Sequence, residues 1–363
     1  MSKIISIATQ LPEHKISQKD ILEFMLDVYS PNEEDRKRIE LLYGRSSIDY
    51  RYSVVPDYSK GNKRSFYPET RNLEPFPTLE KRMEWFHPHA LKLSAQAILK
   101  CIEDKIQVNE ITHLITVSCT GLSAPGLDLA ILEELKLNSN VYRTSVNFMG
   151  CYAAMHGLKL ADSICKSESD AKVIVVCTEL CTLHFQKEME MDFVASSLLF
   201  GDGSAAVLVV SDSAPGKGLG MKGFYSEVKL QGKKDMAWHL SGKGFLMTLS
   251  AYIPDLLKED IKQLTETALK KHKTSNESIS HWAIHPGGKK ILEVFAKELN
   301  LNNDELKHSY NVLQDYGNMS SPTILFVLNE IMKDLDHKDS NTIFAAAFGP
   351  GLTMETAVFN SVN

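Results

Sequence analysis

The chain has 363 residues, of which 43% are hydrophobic and 24% charged, and its formal net charge is −6. This composition is typical of a folded globular protein, and the negative charge argues against a nucleic-acid-binding surface. The length predicts two domains of similar size or one double-length α/β unit. No apolar run reaches the length of a transmembrane helix, and the run near the amino terminus is too short for a signal peptide. We therefore expect a soluble, cytoplasmic protein without a transmembrane segment.

The first third of the chain predicts one strand and three helices. The strand covers Ile4 to Ala8, and the first helix begins at Ser17, whose hydroxyl is a good amino-terminal cap. Ser30 and Pro31 open a second helix that ends near Gly44, and Thr78 caps a third that ends near Cys101. The segment 54–77 shows no periodicity and is predicted to be a long loop, which in a compact domain is usually functional.

From residue 113 onward the chain alternates between strands and helices, and then repeats itself. Residues 113–126 resemble 281–288, residues 145–164 resemble 314–331, and the two strands at 173–180 and 201–210 resemble 342–351 and 352–359. The strands are continuous apolar runs, as expected where both faces of a sheet are buried. The matching order predicts a duplicated mixed sheet covered by helices, with halves at 1–212 and 213–363.

Six cysteines are too few for a disulfide scaffold in a chain of this size, and we expect free thiols. Cys177 and Cys181 form a CxxxC pair that lacks the second pair of ligands a structural zinc site needs, so no metal is expected. Cys151 is different because it follows a glycine at a predicted strand-to-helix turn. A helix amino terminus favours negative charge and would lower the thiol's pKa. The alternative is that Cys151 is merely a small buried hydrophobic residue.

Two further side chains are predicted at strand ends. His285 ends an apolar strand, where ligands usually bind in α/β proteins, and Pro286 can begin the next helix. Asn318 occupies nearly the position in the second repeat that Cys151 occupies in the first. Each has an ordinary alternative: a histidine bonded to a backbone carbonyl, and an asparagine that caps a helix. If all three meet at one edge of the sheet, the two nitrogen-bearing side chains suit an enolate or oxyanion better than a proton relay.

The glycine-rich segments do not match a nucleotide-binding fingerprint. Residues 201–203 are predicted to form a tight turn before a strand, and 216–220 a surface loop. The cations Arg36, Lys37 and Arg38 are interpreted as solvated charge rather than as a phosphate site.

Four motifs resemble the type III polyketide synthases, the chalcone-synthase-like branch of the thiolase superfamily. They are SVNFMGCYAAMHGLKLAD from Ser145, WAIHPGGKKIL from Trp282, YGNMSSPTILFVL from Tyr316 and AFGPGLTMET from Ala347. The resemblance covers essentially the whole chain and implies a thiolase-like, duplicated, five-layered αβαβα fold and a homodimer. It also implies coenzyme A thioester substrates and no bound cofactor or metal. Cys151 would be the acyl-carrying nucleophile, and His285 with Asn318 the decarboxylation and oxyanion pair.

The same resemblance implies a substrate cavity and its departures from the plant pattern. The implied lining residues are Phe200, Met247, Thr120, Ala124, Cys181, His184, Trp238 and Ser320. Small side chains at Thr120, Ala124 and Cys181 are similar to bacterial members that open a tunnel for long acyl chains, whereas Trp238 would narrow the cavity. We therefore expect a fatty acyl starter, extension with malonyl-CoA and cyclisation to an alkylpyrone or alkylresorcinol. Arg45 is the candidate for coenzyme A binding, and an acyl carrier protein is a second candidate donor of the starter.

Three other functions stay open on the sequence alone. A ketoacyl synthase of the same superfamily would perform a single condensation with the same three residues. A catalytically silent thiolase-fold partner protein would have no use for Cys151. A cysteine hydrolase would use the histidine and asparagine to activate the thiol.

Overall fold

The computed structural model describes residues 2–59, 61, 63–250, 253–258, 260–335 and 340–362. Within these ranges there are thirteen strands: β1 Ser2–Gln10, β2 His14–Ser17, β3 Tyr50–Ser53, β4 His113–Ser118, β5 Tyr142–Asn147, β6 Lys172–Leu180, β7 Asp202–Ser211, β8 Gly218–Val228, β9 Met236–Ser241, β10 Gly244–Leu249, β11 His281–Ile284, β12 Thr342–Gly349 and β13 Thr353–Val362. The same ranges contain eleven α-helices: α1 Gln18–Tyr29, α2 Glu33–Gly44, α3 Leu79–Ile102, α4 Leu127–Glu134, α5 Ala153–Ser167, α6 Met191–Leu199, α7 Ile253–Lys258, α8 Ile261–Lys271, α9 Lys289–Leu299, α10 Lys307–Tyr316 and α11 Thr323–Asp334.

Nine strands form one mixed sheet whose two arms have the same pairing. The order is β11-β12-β13-β8-β1-β7-β6-β4-β5. In the first arm β1 pairs antiparallel with β7, β7 antiparallel with β6, and β6 parallel with β4. In the second arm β8, β13, β12 and β11 repeat these three pairings in the same order. The arms join where β1 meets β8 beside Lys3 and Ile4. The predicted duplication is confirmed.

Two helices lie between the arms. Helices α5 and α11 contact strands of both arms, and α11 is buried on all sides from Thr323 to Asn329. A helix that is apolar around its whole circumference is expected in the interior of a protein. Helices α3 and α4 cover the outer face of the first arm, and α8, α9 and α10 pack on the second. The chain therefore has the five-layered, thiolase-like α/β fold that the resemblance implied.

Among the described residues, the second arm has no strand equivalent to β5. At the equivalent position in the repeat, described residues 314–322 include the end of α10 and an isolated bridge between Asn318 and Phe200. This bridge is the point at which the second half reaches the end of α6 in the first half. The duplicated fold therefore places Asn318 beside Phe200.

Local predictions near the helix starts are confirmed in part. The Ser17 hydroxyl accepts from the Asp20 amide at 3.1 Å, and the Thr78 hydroxyl accepts from the Lys81 amide at 3.4 Å, as predicted. Helix α2 begins at Glu33 under an Asn32 cap, not at Ser30. Helix α9 begins at Lys289 rather than Pro286, because the turn after β11 continues through two glycines. No helix in the described ranges is long and apolar enough to cross a membrane.

Candidate active site

Cys151 lies in the turn between β5 and α5. Gly150 before it has φ +85°, and a Cβ there would lie 2.2 Å from Cδ of Pro350, so only glycine fits. The Gly150 amide donates to Sγ of Cys119 at 3.0 Å, which fixes the backbone immediately before the thiol. Cys151 is buried and belongs to a small apolar cluster with Cys181 and Phe200.

Asn318 reaches the site through the bridge to Phe200. Its carboxamide oxygen accepts from the Ser320 amide at 2.8 Å, and its Nδ2 donates to the Gly287 carbonyl at 3.3 Å. The Asn318 nitrogen has two hydrogens, and the bond to Gly287 uses only one of them. The second N–H is therefore left to act as a donor. Gly317 has φ +68°, and a Cβ there would lie 2.8 Å from the Leu199 carbonyl oxygen. The backbone conformation that turns Asn318 into the site therefore requires glycine.

His285 follows β11 and is held by one more strand-type hydrogen bond, from its amide to the Ala346 carbonyl at 2.8 Å. The residue is 1% exposed, and neither ring nitrogen has a hydrogen-bond partner among the described residues. Burial lowers the pKa of His285 to about 3. The imidazole is therefore neutral at physiological pH and offers one donor and one acceptor.

The structure reverses the expectation for the thiol of Cys151. Burial raises its pKa to about 11, although hydrogen bonds from Ser320 and Asn318 act in the opposite direction. The carboxyl of Glu179 raises it further. The amino terminus of α5 stabilises a thiolate, but by less than the free energy lost when the charged sulfur is removed from water, so the pKa rises. In the resting site both Cys151 and His285 are uncharged.

Glu179 is a buried carboxyl that influences the Cys151 thiol and that the sequence reasoning missed. It is fully buried at the end of β6 and accepts hydrogen bonds from Ser321 Oγ at 2.6 Å, Thr120 Oγ1 at 2.8 Å and the Cys119 amide at 2.8 Å. Burial raises its pKa to about 7. A glutamate inside the apolar run of β6 is the signal that could have found it, since buried carboxyls need such partners.

One cavity of about 540 Å³ brings the three candidates together, lined mainly by apolar side chains. Cys151, His285 and Asn318 all line it. Of the other predicted residues, those that also line it are Phe200, Met247, Thr120, Cys181, His184, Trp238, Ser320 and Arg45. Ala124 is the exception, because it lies exposed in the segment between β4 and α4. The expected lining role of Ala124 therefore stays a prediction.

Aromatic and imidazole side chains line the cavity next to residues 119–120. The Trp238 indole donates to the Cys119 carbonyl at 2.7 Å, and Nε2 of His184 lies 2.7 Å from the Thr120 carbonyl. The His184 ring stacks on Phe245 with centroids 4.3 Å apart, and its Nδ1 accepts from the Phe245 amide at 3.1 Å. Trp238, on β9, therefore lines the cavity, and its position is fixed by a hydrogen bond rather than by packing alone.

Cationic side chains line the solvent-facing end of the cavity. Arg38 and Arg45 come from α2 and its end, and Lys289 and Lys290 from the start of α9. Arg36 and Lys37 instead form exposed ion pairs along α2, as expected for solvated charge. An uncapped helix start with nearby lysines is a favourable place for phosphate groups. Among the described residues, no cluster of three or more His, Cys, Asp or Glu side chains is arranged to hold a metal ion.

Comparison with known proteins places both halves of the chain in the same family. Residues 1–213 match the family model for chalcone and stilbene synthases, N-terminal domain, and residues 226–363 match the C-terminal domain of the same family. A putative chalcone synthase of Bacillus subtilis is 29% identical over 99% of both chains. The alpha-pyrone synthesis polyketide synthase-like Pks18 of Mycobacterium tuberculosis is 29% identical over 99% of this chain and 91% of its own.

Solved structures agree along the whole length. PKS-I from the brown alga Ectocarpus siliculosus superposes with a TM-score of 0.91 at 26% identity and covers 99% of this chain and 98% of its own. The type III polyketide synthase domain of Steely1 from Dictyostelium gives 0.90 at 27% identity, with 100% and 99% coverage.

Proposed function

The chain belongs to the chalcone and stilbene synthase family of type III polyketide synthases, and we propose that it extends a fatty acyl-CoA starter with malonyl-CoA. The observation that carries this proposal is the meeting of Cys151, His285 and Asn318 in one apolar cavity with a cationic mouth. The family is one of acyltransferases that use coenzyme A thioesters and need no cofactor.

In the proposed loading step, the Cys151 sulfur attacks the thioester carbonyl of the starter. Because the thiol pKa is about 11, the proton leaves during the attack rather than before it, and the neutral imidazole of His285 accepts it. The coenzyme A sulfur leaves and takes up the proton. Arg38, Arg45, Lys289 and Lys290 are proposed to hold the coenzyme A phosphates at the mouth.

In the proposed condensation, malonyl-CoA loses CO₂ and its thioester oxygen becomes an enolate. The Asn318 N–H that faces the Cys151 sulfur and the single N–H of neutral His285 donate to that oxygen. An apolar cavity disfavours the malonyl carboxylate and not the neutral CO₂, which assists the loss of CO₂. The enolate carbon then attacks the acyl carbon on Cys151, and the Cys151 sulfur leaves as the new carbon–carbon bond forms.

Repetition followed by cyclisation would give a pyrone or resorcinol. The relative named for alpha-pyrone synthesis supports a pyrone product, and the small side chains at Thr120 and Cys181 in the cavity lining support a fatty acyl starter. The proposal includes a first half, 1–212, that carries the nucleophile and a second half, 213–363, that carries His285 and Asn318. It also includes a cytoplasmic homodimer, with an acyl carrier protein as a second possible starter donor.

The test is incubation with tetradecanoyl-CoA and malonyl-CoA, followed by mass spectrometry of the extracted products. We expect pyrones or resorcinols with two or three added malonyl units, and none from Cys151→Ala. A product with one added unit would identify a ketoacyl synthase, and free fatty acid without any malonyl-dependent product would identify a hydrolase. Failure of Cys151 to become acylated would contradict the enzyme proposal altogether.

A further inference from the structure

The carboxyl end of α6 leads directly to the bridge between Phe200 and Asn318. A helix leaves its last carbonyls without partners inside the helix. Here each carbonyl of residues 197–200 accepts a hydrogen bond from another part of the chain. The Leu199 carbonyl accepts from the Asn318 amide at 2.9 Å, and the Asn318 carbonyl accepts from the Gly201 amide at 2.9 Å. The backbone of Asn318 is therefore fixed to the end of α6 through both its N–H and its carbonyl.

Arg51, on β3, supplies two of these hydrogen bonds. Its Nη1 donates to the Ser197 carbonyl at 2.6 Å and to the Phe200 carbonyl at 2.7 Å. Its Nε donates to Oε1 of Gln18 at 3.0 Å, and Nε2 of Gln18 donates to the Leu198 carbonyl at 2.8 Å. Together Arg51 and Gln18 bind three carbonyls at the end of α6, where the helix dipole favours a cation.

The Arg51 side chain also lies against the segment that carries Asn318. A Cβ added at Gly317 would lie 2.9 Å from Cγ of Arg51 and 3.0 Å from its Cδ, so the aliphatic stem of Arg51 packs on the Gly317 backbone. Gly317 has φ +68°, and this conformation turns Asn318 into the site. Arg51 therefore contacts both sides of the bridge, the Phe200 carbonyl in the first half of the chain and Gly317 in the second.

Arg51 is a buried cation whose hydrogen-bond acceptors are neutral oxygen atoms. It is 3% exposed, and burial lowers its pKa, while the nearby Tyr43, Tyr58 and Asp202 act in the opposite direction. Removing a cation from water costs free energy that its hydrogen bonds must offset, so arginine is seldom buried to this extent. A lysine here would keep the charge but could not donate in the fixed directions of a planar guanidinium. The position therefore needs the geometry of arginine as well as its charge.

The thiol and the proposed enolate donor come from different halves of the chain, so their separation depends on how the halves are joined. Phe200 belongs to the same apolar cluster as Cys151, and its backbone pairs with Asn318. A shift of the end of α6 would move Phe200 and Asn318 together relative to Cys151. Misplacing a catalytic group by about 1 Å can slow a reaction about 10²-fold.

We propose that Arg51 is a positioning residue that holds Asn318 in place for the loss of CO₂ from malonyl-CoA. It acts by binding the end of α6 and by packing on Gly317, not by contacting the substrate. The catalytic consequence rests on the proposed function, whereas the link from Arg51 to the bridge between Phe200 and Asn318 does not.

The test is a double-mutant cycle that measures release of labelled CO₂ from malonyl-CoA. Arg51→Met removes the guanidinium and should slow release about 10²-fold, with the loss in kcat rather than in KM. In an Asn318→Ala background the donor is already absent, so adding Arg51→Met should slow release by no more than about twofold. Equal slowing in the two backgrounds would overturn the proposal, because Arg51 would then act independently of Asn318. An unchanged rate in Arg51→Met would overturn it as well.

Arg82→Met is the matched control. Arg82 is 0% exposed and donates to the Pro77 carbonyl at 3.2 Å and to the Leu183 carbonyl, but it is not among the described residues that line the cavity. The variant deletes a buried guanidinium without removing a hydrogen bond at the bridge. It should lower the urea midpoint while CO₂ release by the folded protein stays within about twofold of the parent. A loss of CO₂ release as large as that in Arg51→Met would count against the proposal, since general destabilisation would explain both.

A second pair of variants serves if Arg51→Met folds poorly. Arg51→Lys keeps the charge without the planar fork, and Gln18→Met removes the bond to the Leu198 carbonyl. Both should speed amide hydrogen exchange in peptides that contain Gly201 or Asn318, relative to peptides from β4. No local change in exchange would overturn the proposal. Faster local exchange in variants of a parent that releases no CO₂ from malonyl-CoA would support the link from Arg51 to the bridge and refute the proposed reaction.

Discussion

Alkylation of Cys151 by iodoacetamide should accelerate about tenfold for each pH unit between pH 7 and pH 10. The reason is that burial raises the pKa of this thiol to about 11. At pH 7 about one thiol in ten thousand is then ionised, and only the thiolate reacts. The rate is measured from pH 6 to pH 10 as the mass increase of the peptide that contains Cys151, which separates it from Cys119 and Cys181. Burial raises the pKa of both of these thiols well above the ordinary value.

A plateau in the alkylation rate above pH 7 would refute this reasoning, because it would mean that Cys151 and His285 rest as a thiolate–imidazolium pair. Ser320→Ala provides a control on the cause. The Ser320 hydroxyl is the largest of the hydrogen-bonding influences that lower the thiol pKa, so its loss should slow alkylation at every pH without changing the slope.

Three further predictions concern the groups around the thiol. Asn318→Asp removes a donor to both the enolate and the thiol, so it should slow release of CO₂ from malonyl-CoA by about 10²–10³-fold and also slow alkylation of Cys151. Burial raises the pKa of Glu179 to about 7, so its contribution to stability is fully present below about pH 4.5 and lost as the pH rises through 7. Urea unfolding at pH 5 and pH 8 should show this loss, on the order of 3 kcal/mol, in the parent protein and not in Glu179→Gln. In Gly150→Ala the new methyl group clashes with Pro350 at a backbone position of positive φ, so the free energy of unfolding in urea should fall by about 1–3 kcal/mol. Gly44→Ala, with open space around it, should leave that free energy nearly unchanged.

The repeat in the sequence predicted the pairing of the two arms because each strand is a buried apolar run whose partner is set by chain order. It did not predict that the described part of the second arm has no counterpart of β5. Residues 314–331 have the same pattern of glycine and small side chains as 145–164, but α10 runs to Tyr316, and Gly317 then turns the chain toward α6. Such a segment forms a strand only where the folded chain places the free edge of another strand beside it, and the local sequence pattern does not show this.

The sequence predicted which residues lie at the candidate site, but not how the folded chain shifts their pKa values. Cys151, His285 and Asn318 stand out at strand ends, yet the direction of the Cys151 pKa shift follows from burial by residues distant in sequence, including Phe200 and Cys181. Trp238 was recognised as a departure from the plant pattern, whereas its hydrogen bond to the Cys119 carbonyl depends on the β9–β10 hairpin. The full set of residues that line the cavity could not be predicted from the sequence, because they come from segments more than 150 residues apart.

Burial of the site has opposite effects on the two halves of the proposed reaction. It makes the thiolate of Cys151 scarce, which slows loading, and it disfavours the malonyl carboxylate, which speeds decarboxylation. Asn318 can assist both loading and decarboxylation, since the same amide nitrogen that lowers the Cys151 pKa can donate to the enolate oxygen. Removing that donor should therefore slow both alkylation of Cys151 and release of CO₂. A defect in CO₂ release alone would mean that Asn318 acts on the enolate and not on the thiol.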